Sequence, residues 1–300
     1  MTFLQARSIF LAFSLIFLYC GGGVPHAVAA PSSALPVDAV MAKNAIEPHR
    51  AIYQIKMSSV KRGSQVLGIS GIMSYVLKKS CHGWITDHRF DMVYQYSTSP
   101  SIRVDTKFSS FENFAGTDLT FSSSRSRDGE VYDKVRGNAI IDPDHQKKSI
   151  ADYSIPEGMQ YDLSKGTLFP IAHTYYLISE ARKGRRVIPA IVFDGSDDQG
   201  PVEINTVIGR KNDAQNRSDK QDSSNAKKDK IDNTLLNVPV WQVNMAIFPV
   251  DDAEVLADYE LSMDLLENGI VREMNVDYHD FSINQKLVAL EKVSPEKCEE

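Results

Sequence analysis

Apolar and polar side chains alternate with a period of two through most of the chain. In Ala51–Val60, for example, Tyr53 and Ile55 fall on one phase and Gln54 and Lys56 on the other. Successive strand residues point to opposite faces, so this pattern predicts a half-buried β-strand. The same argument predicts further strands at Val66–Leu77, Trp84–Tyr96, Ile102–Phe111, Asp118–Ser124, Val131–Ile141, Val187–Phe193, Val202–Ile208, Val238–Phe248, Tyr259–Leu266, Ile270–Tyr278 and Phe281–Glu291. Most are joined by short turns, which predicts a mainly β fold built as a large antiparallel meander.

One segment, from about residue 168 to 183, has helical spacing instead. Pro170 suits a first helical turn, Thr167 offers a side chain to cap it, and Gly184 suits the end. The stripe expected to face the core consists of Ile171, Tyr175, Ile178 and Ala181. The edge expected to face water consists of Glu180, Arg182 and Lys183. This predicts one prominent amphipathic helix that plugs or flanks a curved, open barrel-like sheet. A second, short helix is predicted at Val37–Asn44.

The first 30 residues have the composition of a secretory signal peptide. Ile9–Cys20 is an apolar run of 12 residues, whereas a membrane-spanning helix needs about 20. Ala27-Val28-Ala29 follows as a small-residue cleavage site. We therefore expect removal of residues 1–30, one β-rich domain over 31–300 without a transmembrane span, and a periplasmic location. An uncleaved anchor and lipid attachment at Cys20 are the alternatives.

Removal of the signal leaves two cysteines, Cys81 and Cys298, in a compartment that oxidises thiols. One intramolecular pairing is open to them, and it would tie the C-terminus to the body of the protein. A free redox pair and an intermolecular bridge are the alternatives. Trp84 follows Cys81 by three residues, and we expect it to pack against such a disulfide.

Charge argues against general binding to nucleic acids. The expected mature chain carries 32 basic side chains, after loss of Arg7, against 39 acidic ones, which gives a net charge of −7. The stretch Arg210–Asp232 mixes charges of both signs over 23 residues and has no aromatic side chain. Such a composition buries too little surface to offset its ordering entropy, so we expect a disordered, solvated loop.

Sequence motifs typical of catalysis, cofactor binding or metal binding do not occur. H-E-x-x-H, G-x-S-x-G, the phosphate-binding loop and G-x-G-x-x-G are all missing from the sequence. We therefore predict a non-enzymatic protein that needs no cofactor and no metal. The alternative is a periplasmic hydrolase in which His173 and Asp194 act as a pair, although no nucleophile is marked by its context. The simpler interpretation is a buried His173 and a turn at Asp194. His49 and Arg50 open the first strand, and one or the other is a candidate to face an interior cavity or groove.

Several short segments carry a resemblance to a known family, in order from residue 48 to residue 298. They are Pro48-His49-Arg50-Ala51-x-Tyr53, Gly71-x-Met73-x-Tyr75, Cys81-x-Gly83-Trp84, Phe111-Glu112, Gly166-Thr167-Leu168-Phe169-Pro170-x-x-His173-Thr174, Phe193-Asp194-Gly195, Ile208-Gly209 and Cys298. Together they resemble the periplasmic envelope-integrity protein B family of α-proteobacteria.

This resemblance implies a spiral-like antiparallel sheet and one internal disulfide, which Cys81 and Cys298 would match. It also implies support of envelope integrity and a functional link to a periplasmic tetratricopeptide-repeat protein, and it brings no catalytic residues. From the export signal, the β-meander, the lone amphipathic helix and the absence of a catalytic motif, we expect the curved sheet and the helix to form a groove for a lipid, a peptide or a partner protein.

Overall fold

The structure of the chain is a computed structural model that describes residues 44–143, 146, 148–212, 230–250 and 256–298. The predicted signal peptide, the predicted helix at Val37–Asn44 except its last residue, and positions 213–229 of the predicted charged loop lie outside these residues. The described ends of that loop have regular structure. Residues 210–212 continue a strand, and Ile231 forms an isolated β-bridge with Leu290.

Among the described residues, one antiparallel sheet has 14 strands. The strands are β1 (His49–Val60), β2 (Val66–Lys79), β3 (Gly83–Tyr96), β4 (Ile102–Asn113), β5 (Asp118–Arg127), β6 (Glu130–Ile140), β7 (Ile150–Ile155), β8 (Gln160–Asp162), β9 (Val187–Val192), β10 (Val202–Asn212), β11 (Val240–Pro249), β12 (Tyr259–Leu266), β13 (Val271–Asp277) and β14 (Phe281–Lys292). A helix, α1 (Pro170–Arg182), lies between β8 and β9 in the chain.

The sheet is an open meander in which the first and last strands are neighbours. Its order runs from β8 back to β1, then through β14 back to β9, so β8 and β9 are the two edges. β1 pairs with β14 over most of its length, with His49 opposite Lys292 and Val60 opposite Phe281. The predicted antiparallel meander is therefore confirmed, and its one long-range pairing joins the two ends of the domain.

The alternation along β1 produces one buried and one exposed face. Tyr53 and Ile55 are buried, whereas Gln54 and Lys56 are exposed, as predicted. Two strands escaped the prediction, because β7 and β8 have 6 and 3 residues and offer too short an alternation to stand out.

The predicted helix is confirmed, with a different cap. Pro170 occupies the first turn, and Gly184 has a φ of 81° just past the end. The N-cap position is Phe169, which makes no side-chain cap hydrogen bond, so the prediction of Thr167 as the cap is wrong. The Thr167 hydroxyl instead donates to the Ser164 carbonyl at 2.8 Å, within the turn before the helix.

The prediction that Glu180 faces water is also wrong. Its side chain is 4% exposed and accepts ion pairs from Lys183 at 2.7 Å and Arg185 at 2.8 Å. Two cations three and five residues further along the chain offset the cost of burying this carboxylate.

Helix α1 lies across one end of the curved sheet. At its start, Ile171 packs with Leu77 at the end of β2 and Trp84 at the start of β3. At its end, Arg182 Nε donates to Glu267, just after β12, at 2.8 Å. In this antiparallel order those strand termini lie at the same end of the sheet. The helix therefore covers that end, and its buried side packs on the β9–β12 wall.

Candidate functional site

The buried carboxylate of Glu112 fixes the start of the helix. Glu112 lies at the end of β4, and its two oxygens accept the backbone N–H groups of Ile171 and Ala172, each at 2.8 Å. Burial raises the pKa of Glu112 to about 7, and the two hydrogen bonds act in the opposite direction by favouring the charged form. These contacts satisfy helix N–H groups that would otherwise be buried without an acceptor.

An aromatic row lines the concave face of β2, β3 and β4. The ring centroids of Tyr75 and His88 are 4.7 Å apart, and those of His88 and Phe108 are 5.7 Å apart, both in edge-to-face geometry. The three side chains face inward in register across the strands, yet each keeps part of its surface accessible. Burial lowers the pKa of His88 to about 4, with a smaller opposing effect of Asp87, so the ring is neutral at neutral pH.

The facing wall is aliphatic and rich in methionine. Met263 on β12 pairs directly with Met274 on β13, and Leu261 lies two residues before Met263 on the same inward phase. These three side chains are also partly accessible although they lie within the apolar clusters of the sheet. We call the inward side of the sheet that carries the aromatic row and this wall, below α1, the lumen. Its partly exposed apolar side chains are candidates for a binding surface.

The structure separates the two candidate residues at the start of β1. His49 is buried, its Nδ1 lies 2.7 Å from the Glu47 carbonyl oxygen, and its ring centroid is 5.2 Å from that of Tyr75. Burial lowers its pKa. Arg50 points to the opposite face, where it is exposed and pairs with Glu291 at 2.6 Å. Of the two alternatives it is therefore His49 that lies on the inward face, because neighbouring strand residues alternate in direction.

Trp84 belongs to the cluster at the helix-covered end. It is 1% exposed and packs with Leu77, Ile171 and Ile46, and its ring meets Phe114 edge-on at 5.8 Å. Its role is therefore to join β2, β3 and the start of α1.

His173 and Asp194 do not form the pair that a hydrolase would need. His173 is buried in α1, and its Nε2 has no hydrogen-bond partner among the described residues. Burial alone lowers its pKa to about 4. The Asp194 carboxylate accepts the backbone N–H of Ser196 at 2.8 Å, as a turn-forming aspartate does.

The segment after β9 explains the Phe193-Asp194-Gly195 motif. Phe193 is fully buried, with its ring centroid 5.5 Å from that of Phe121 on β5. Gly195 has a φ of 67°, and a Cβ there would lie 2.3 Å from the Phe121 ring. The motif therefore packs the β9 edge of the sheet against the inner face of β5.

Hydrogen bonds from β5, β7 and β8 hold the rest of this segment. The donors are Arg125 to the Ser196 carbonyl at 3.0 Å, Tyr153 to the Asp197 carbonyl at 2.8 Å and Tyr161 to the Asp198 carbonyl at 2.6 Å. Burial and the nearby Asp194 raise the pKa of the Asp197 carboxyl to about 7. The segment thus joins the two edge regions of an otherwise open sheet.

Sequence reasoning missed Ser123 and Arg125, which share the inward face of β5 with Phe121. Arg125 is 2% exposed and pairs with Asp133, and Ser123 is 3% exposed. A signal was present in the sequence, since these polar residues continue the inward phase of Leu119 and Phe121. The predicted strand ended at Ser124, so the phase was not followed to Arg125.

The disulfide between Cys81 and Cys298 lies at the helix-covered end of the sheet. The two Cα atoms are 5.6 Å apart. The backbone N–H of Glu296 donates to the Lys79 carbonyl at 2.9 Å, and the Glu296 carboxylate accepts the Cys81 N–H at 3.2 Å. The C-terminal segment is therefore held on the β2–β3 turn by one covalent bond and two hydrogen bonds.

Within the described part of the chain, no three or more histidine, cysteine, aspartate or glutamate side chains are placed to hold a metal ion. No helix in that part is long and apolar enough to cross a membrane.

Comparison with known proteins places this architecture in a family. A family model described as EipB-like matches residues 41–294. The chain belongs to the EipB-like family. A curated relative, the cell envelope integrity protein EipB of Brucella abortus (strain 2308), is 32% identical to this EipB-like chain over 248 residues, which cover 81% of the chain and 83% of the relative.

A solved structure supports the fold of this EipB-like chain. It is the crystal structure of a beta-barrel-like protein of a domain of unknown function, DUF1849, from Brucella abortus, and it matches with a TM-score of 0.72 and 29% identity. The match covers 83% of this chain and 99% of the crystallised one. The predicted family and the predicted mainly β, open architecture are both confirmed.

Proposed function

We propose that this EipB-like protein is exported to the periplasm, where it supports the integrity of the cell envelope without catalysing a reaction. The observation that carries the proposal is the 32% identity over 248 residues to a protein named for cell envelope integrity. The apolar run and cleavage site in residues 1–30 and the Cys81–Cys298 disulfide fit an oxidising compartment outside the cytoplasm.

The structure favours binding over hydrolysis as the mode of action. Asp194 is engaged in its own turn, and burial leaves His173 neutral and without a carboxylate partner among the described residues. The lumen, by contrast, offers an apolar concave surface of the kind that binds ligands. In this proposal the protein acts by holding a ligand or a partner protein in the curved sheet. The partner protein that we propose is a periplasmic tetratricopeptide-repeat protein.

Complementation of a strain that lacks the gene tests the envelope role. The full-length chain should restore growth in detergent, and a chain without residues 1–30 should not, although both accumulate. The double variant His173→Ala and Asp194→Ala should restore growth as well as the wild type if it keeps its melting temperature. Failure of the full-length chain to restore growth would contradict the envelope role, and a folded but inactive double variant would favour the hydrolase.

Direct binding tests the partner. The purified protein and the purified periplasmic repeat protein are mixed and cross-linked. A folded variant with a substitution on the outer face of the sheet, such as Ser262→Trp, is the control for correctly folded protein. A specific cross-linked complex supports the link. No complex at micromolar concentrations of both proteins would contradict direct contact.

A further inference from the structure

The β1–β2 hairpin changes its pairing near its turn. β1 and β2 pair with each other up to Lys56 opposite Ser70, and beyond this point β1 continues with β14 and β2 with β3. Each strand has a register shift there, of the kind that a β-bulge produces, with Ser58 and Leu67 as the extra residues. A bulge bends its strand and redirects a side chain. We call residues 57–69, which lie beyond the last β1–β2 pair, the hairpin tip.

The hairpin tip exposes two large apolar side chains beside two cations. Val60 is 47% exposed and Leu67 is 61% exposed, one on either side of the turn. Lys61 and Arg62 are exposed within the turn, and neither pairs with a carboxylate among the described residues. Exposed apolar side chains gain free energy when an apolar medium covers them. The tip is therefore suited to a partner that has an apolar layer next to an anionic one.

Other exposed apolar side chains lie at the same end of the sheet, opposite α1. In the antiparallel order, the turns after β1 and β5 and the connection after β11 are at this end. Most of the large apolar side chains that are exposed among the described residues lie in or beside these connections: Val60, Leu67, Val131, Tyr132, Val250 and Leu256. They belong to separate turns. This arrangement suits a planar surface, whereas a protein partner needs a continuous patch of matching shape.

Charge favours an anionic surface on the β1–β2 side of this end. The adjoining β13–β14 turn adds one acid, Asp280, whose carbonyl accepts the Lys61 N–H at 2.9 Å. The tip and this turn together keep a net positive charge, although the whole chain has a net charge of −6. The β11–β12 connection carries Asp251, Asp252 and Glu254, which repel anionic groups. An anionic surface is therefore attracted to the hairpin tip rather than to the β11–β12 connection.

The backbone of the tip limits the depth of contact. Main-chain groups between two strands that do not pair with each other need water or another partner. The headgroup layer of a bilayer retains water, whereas the hydrocarbon core does not. Contact at the level of the headgroups is therefore the depth that the tip allows.

We propose that the hairpin tip docks this protein on the surface of an anionic lipid bilayer. Val60 and Leu67 enter the layer between headgroups and acyl chains, and Lys61 and Arg62 contact lipid phosphates. The inference deepens the proposed function and rests on export, because the exported chain meets the membrane surfaces of the envelope.

Sedimentation with lipid vesicles tests the docking. The purified exported protein is mixed with vesicles of phosphatidylglycerol and phosphatidylcholine in equal parts, or of phosphatidylcholine alone. We expect saturable binding to the anionic vesicles and about tenfold weaker binding to the neutral ones. No binding to the anionic vesicles, or equal binding to both kinds, would overturn the proposal. An acidic partner protein or a second copy of the chain at the tip would give the first of these results.

Charge reversal tests the two cations. Lys61→Glu with Arg62→Glu should abolish the preference for anionic vesicles, and high salt should reduce it in the wild type because salt screens exposed charges. Lys107→Glu with Lys134→Glu changes the net charge equally at exposed positions on β4 and β6, and this control should keep the preference. A preference that survives reversal at the tip would contradict the contact with lipid phosphates.

Matched serine variants locate the contact. Val60→Ser with Leu67→Ser should weaken binding to anionic vesicles about tenfold. Ile140→Ser with Val187→Ser removes side chains that are 53% and 69% exposed at the α1 end, and this control should bind as the wild type does. Melting temperatures show that both variants are folded. Equal binding by the two folded variants would overturn the location.

A tryptophan reporter keeps the location testable if the serine variant at the tip does not fold. Leu67→Trp places the reporter at the tip, and Val187→Trp places it at the α1 end. The native Trp84 and Trp241 are each 1% exposed and give the same background in both variants. Anionic vesicles with brominated acyl chains should quench the emission of Leu67→Trp more than that of Val187→Trp. Equal quenching would contradict insertion of the tip.

The two proposals fail separately. A chain that restores envelope resistance but does not bind anionic vesicles overturns the docking alone. A chain that binds them but does not restore resistance overturns the envelope role alone.

Discussion

Glu112 holds the first turn of the helix through Ile171, although the two residues are 59 positions apart in the chain. The carboxylate accepts the Ile171 backbone N–H at 2.8 Å and, with its other oxygen, that of Ala172. A strand side chain therefore supplies the cap that the sequence before the helix does not. The position of α1 over the lumen depends on β4 as much as on the helix itself.

Replacement of Glu112 should destabilise the protein. Glu112→Ala leaves two buried N–H groups without an acceptor, and each such group costs about 1–3 kcal/mol, so we expect a loss of roughly 2–6 kcal/mol in the free energy of unfolding. Glu112→Gln keeps one acceptor and should lose less. Chemical denaturation measures both, with Glu291→Ala as the control, because its exposed ion pair with Arg50 should contribute about 1 kcal/mol or less. Equal effects of Glu112→Ala and Glu291→Ala would contradict this role.

Loss of the disulfide should lower thermal stability. The bond joins residues separated by 217 positions, and the chain-entropy model assigns such a loop up to about 5 kcal/mol. Cys81→Ser and Cys298→Ser should each lower the melting temperature, and reductant should lower that of the wild type alone. Differential scanning calorimetry with and without reductant measures this. Unchanged melting temperatures in both variants would show that the hydrogen bonds of Glu296 hold the C-terminus without the covalent bond.

Much of the fold was predictable because it depends on local patterns. The alternation in β1 predicts its buried face, and Pro170 and Gly184 predict the two ends of α1. What depends on distant residues was not predictable. The cap from Glu112, for example, comes from a side chain 59 positions before the helix.

The candidate site was predictable only in part, for a related reason. Of the alternatives His49 and Arg50, the structure places His49 inside, because it lies on the buried phase of β1. The lumen arises when strands far apart in sequence join one curved sheet, so no local pattern showed that His88 and Met263 lie on the same side of it. The contact between Gly195 and Phe121 was hidden in the same way, although the Phe193-Asp194-Gly195 motif was visible.

Acid should destabilise the protein partly through His88. The pKa of His88 is about 4 in the folded protein against an ordinary value of 6.5, so the unfolded chain binds a proton first as the pH falls. The stability associated with the neutral ring is present above pH 6.5 and is lost as the pH falls toward 4. His88→Phe keeps an aromatic ring beside Tyr75 and removes the titration. Between pH 7.5 and pH 4.5, the free energy of unfolding of this variant should therefore rise by roughly 2 kcal/mol relative to that of the wild type.

The comparison with wild type is needed because buried carboxyls act in the opposite direction. The pKa values of Glu112 and Asp197 are raised to about 7, so their contributions to stability fall as the pH rises toward 7. Urea denaturation at both pH values measures the difference. Phe108→Leu is the control, since it changes packing in the aromatic row without removing a titrating group. If the difference in the free energy of unfolding between His88→Phe and wild type stays constant with pH, the role of His88 in acid destabilisation is contradicted.

A methyl group at Gly195 should open the junction between the two edge regions of the sheet. The added Cβ would lie 2.3 Å from Phe121 Cγ, and the φ of 67° is unfavourable for alanine, so we expect Gly195→Ala to cost about 2–4 kcal/mol. Gly129→Ala separates the two causes, because Gly129 has a φ of 92° and no atom near its Cβ position. It should cost about 1–2 kcal/mol from the backbone alone.

Chemical denaturation compares the two variants, and limited proteolysis shows where Gly195→Ala opens. We expect new cleavage near residues 194–200, where Tyr153 and Tyr161 donate to the backbone. Equal stability of the two variants would show that the packing of this turn on Phe121 does not hold the edges together.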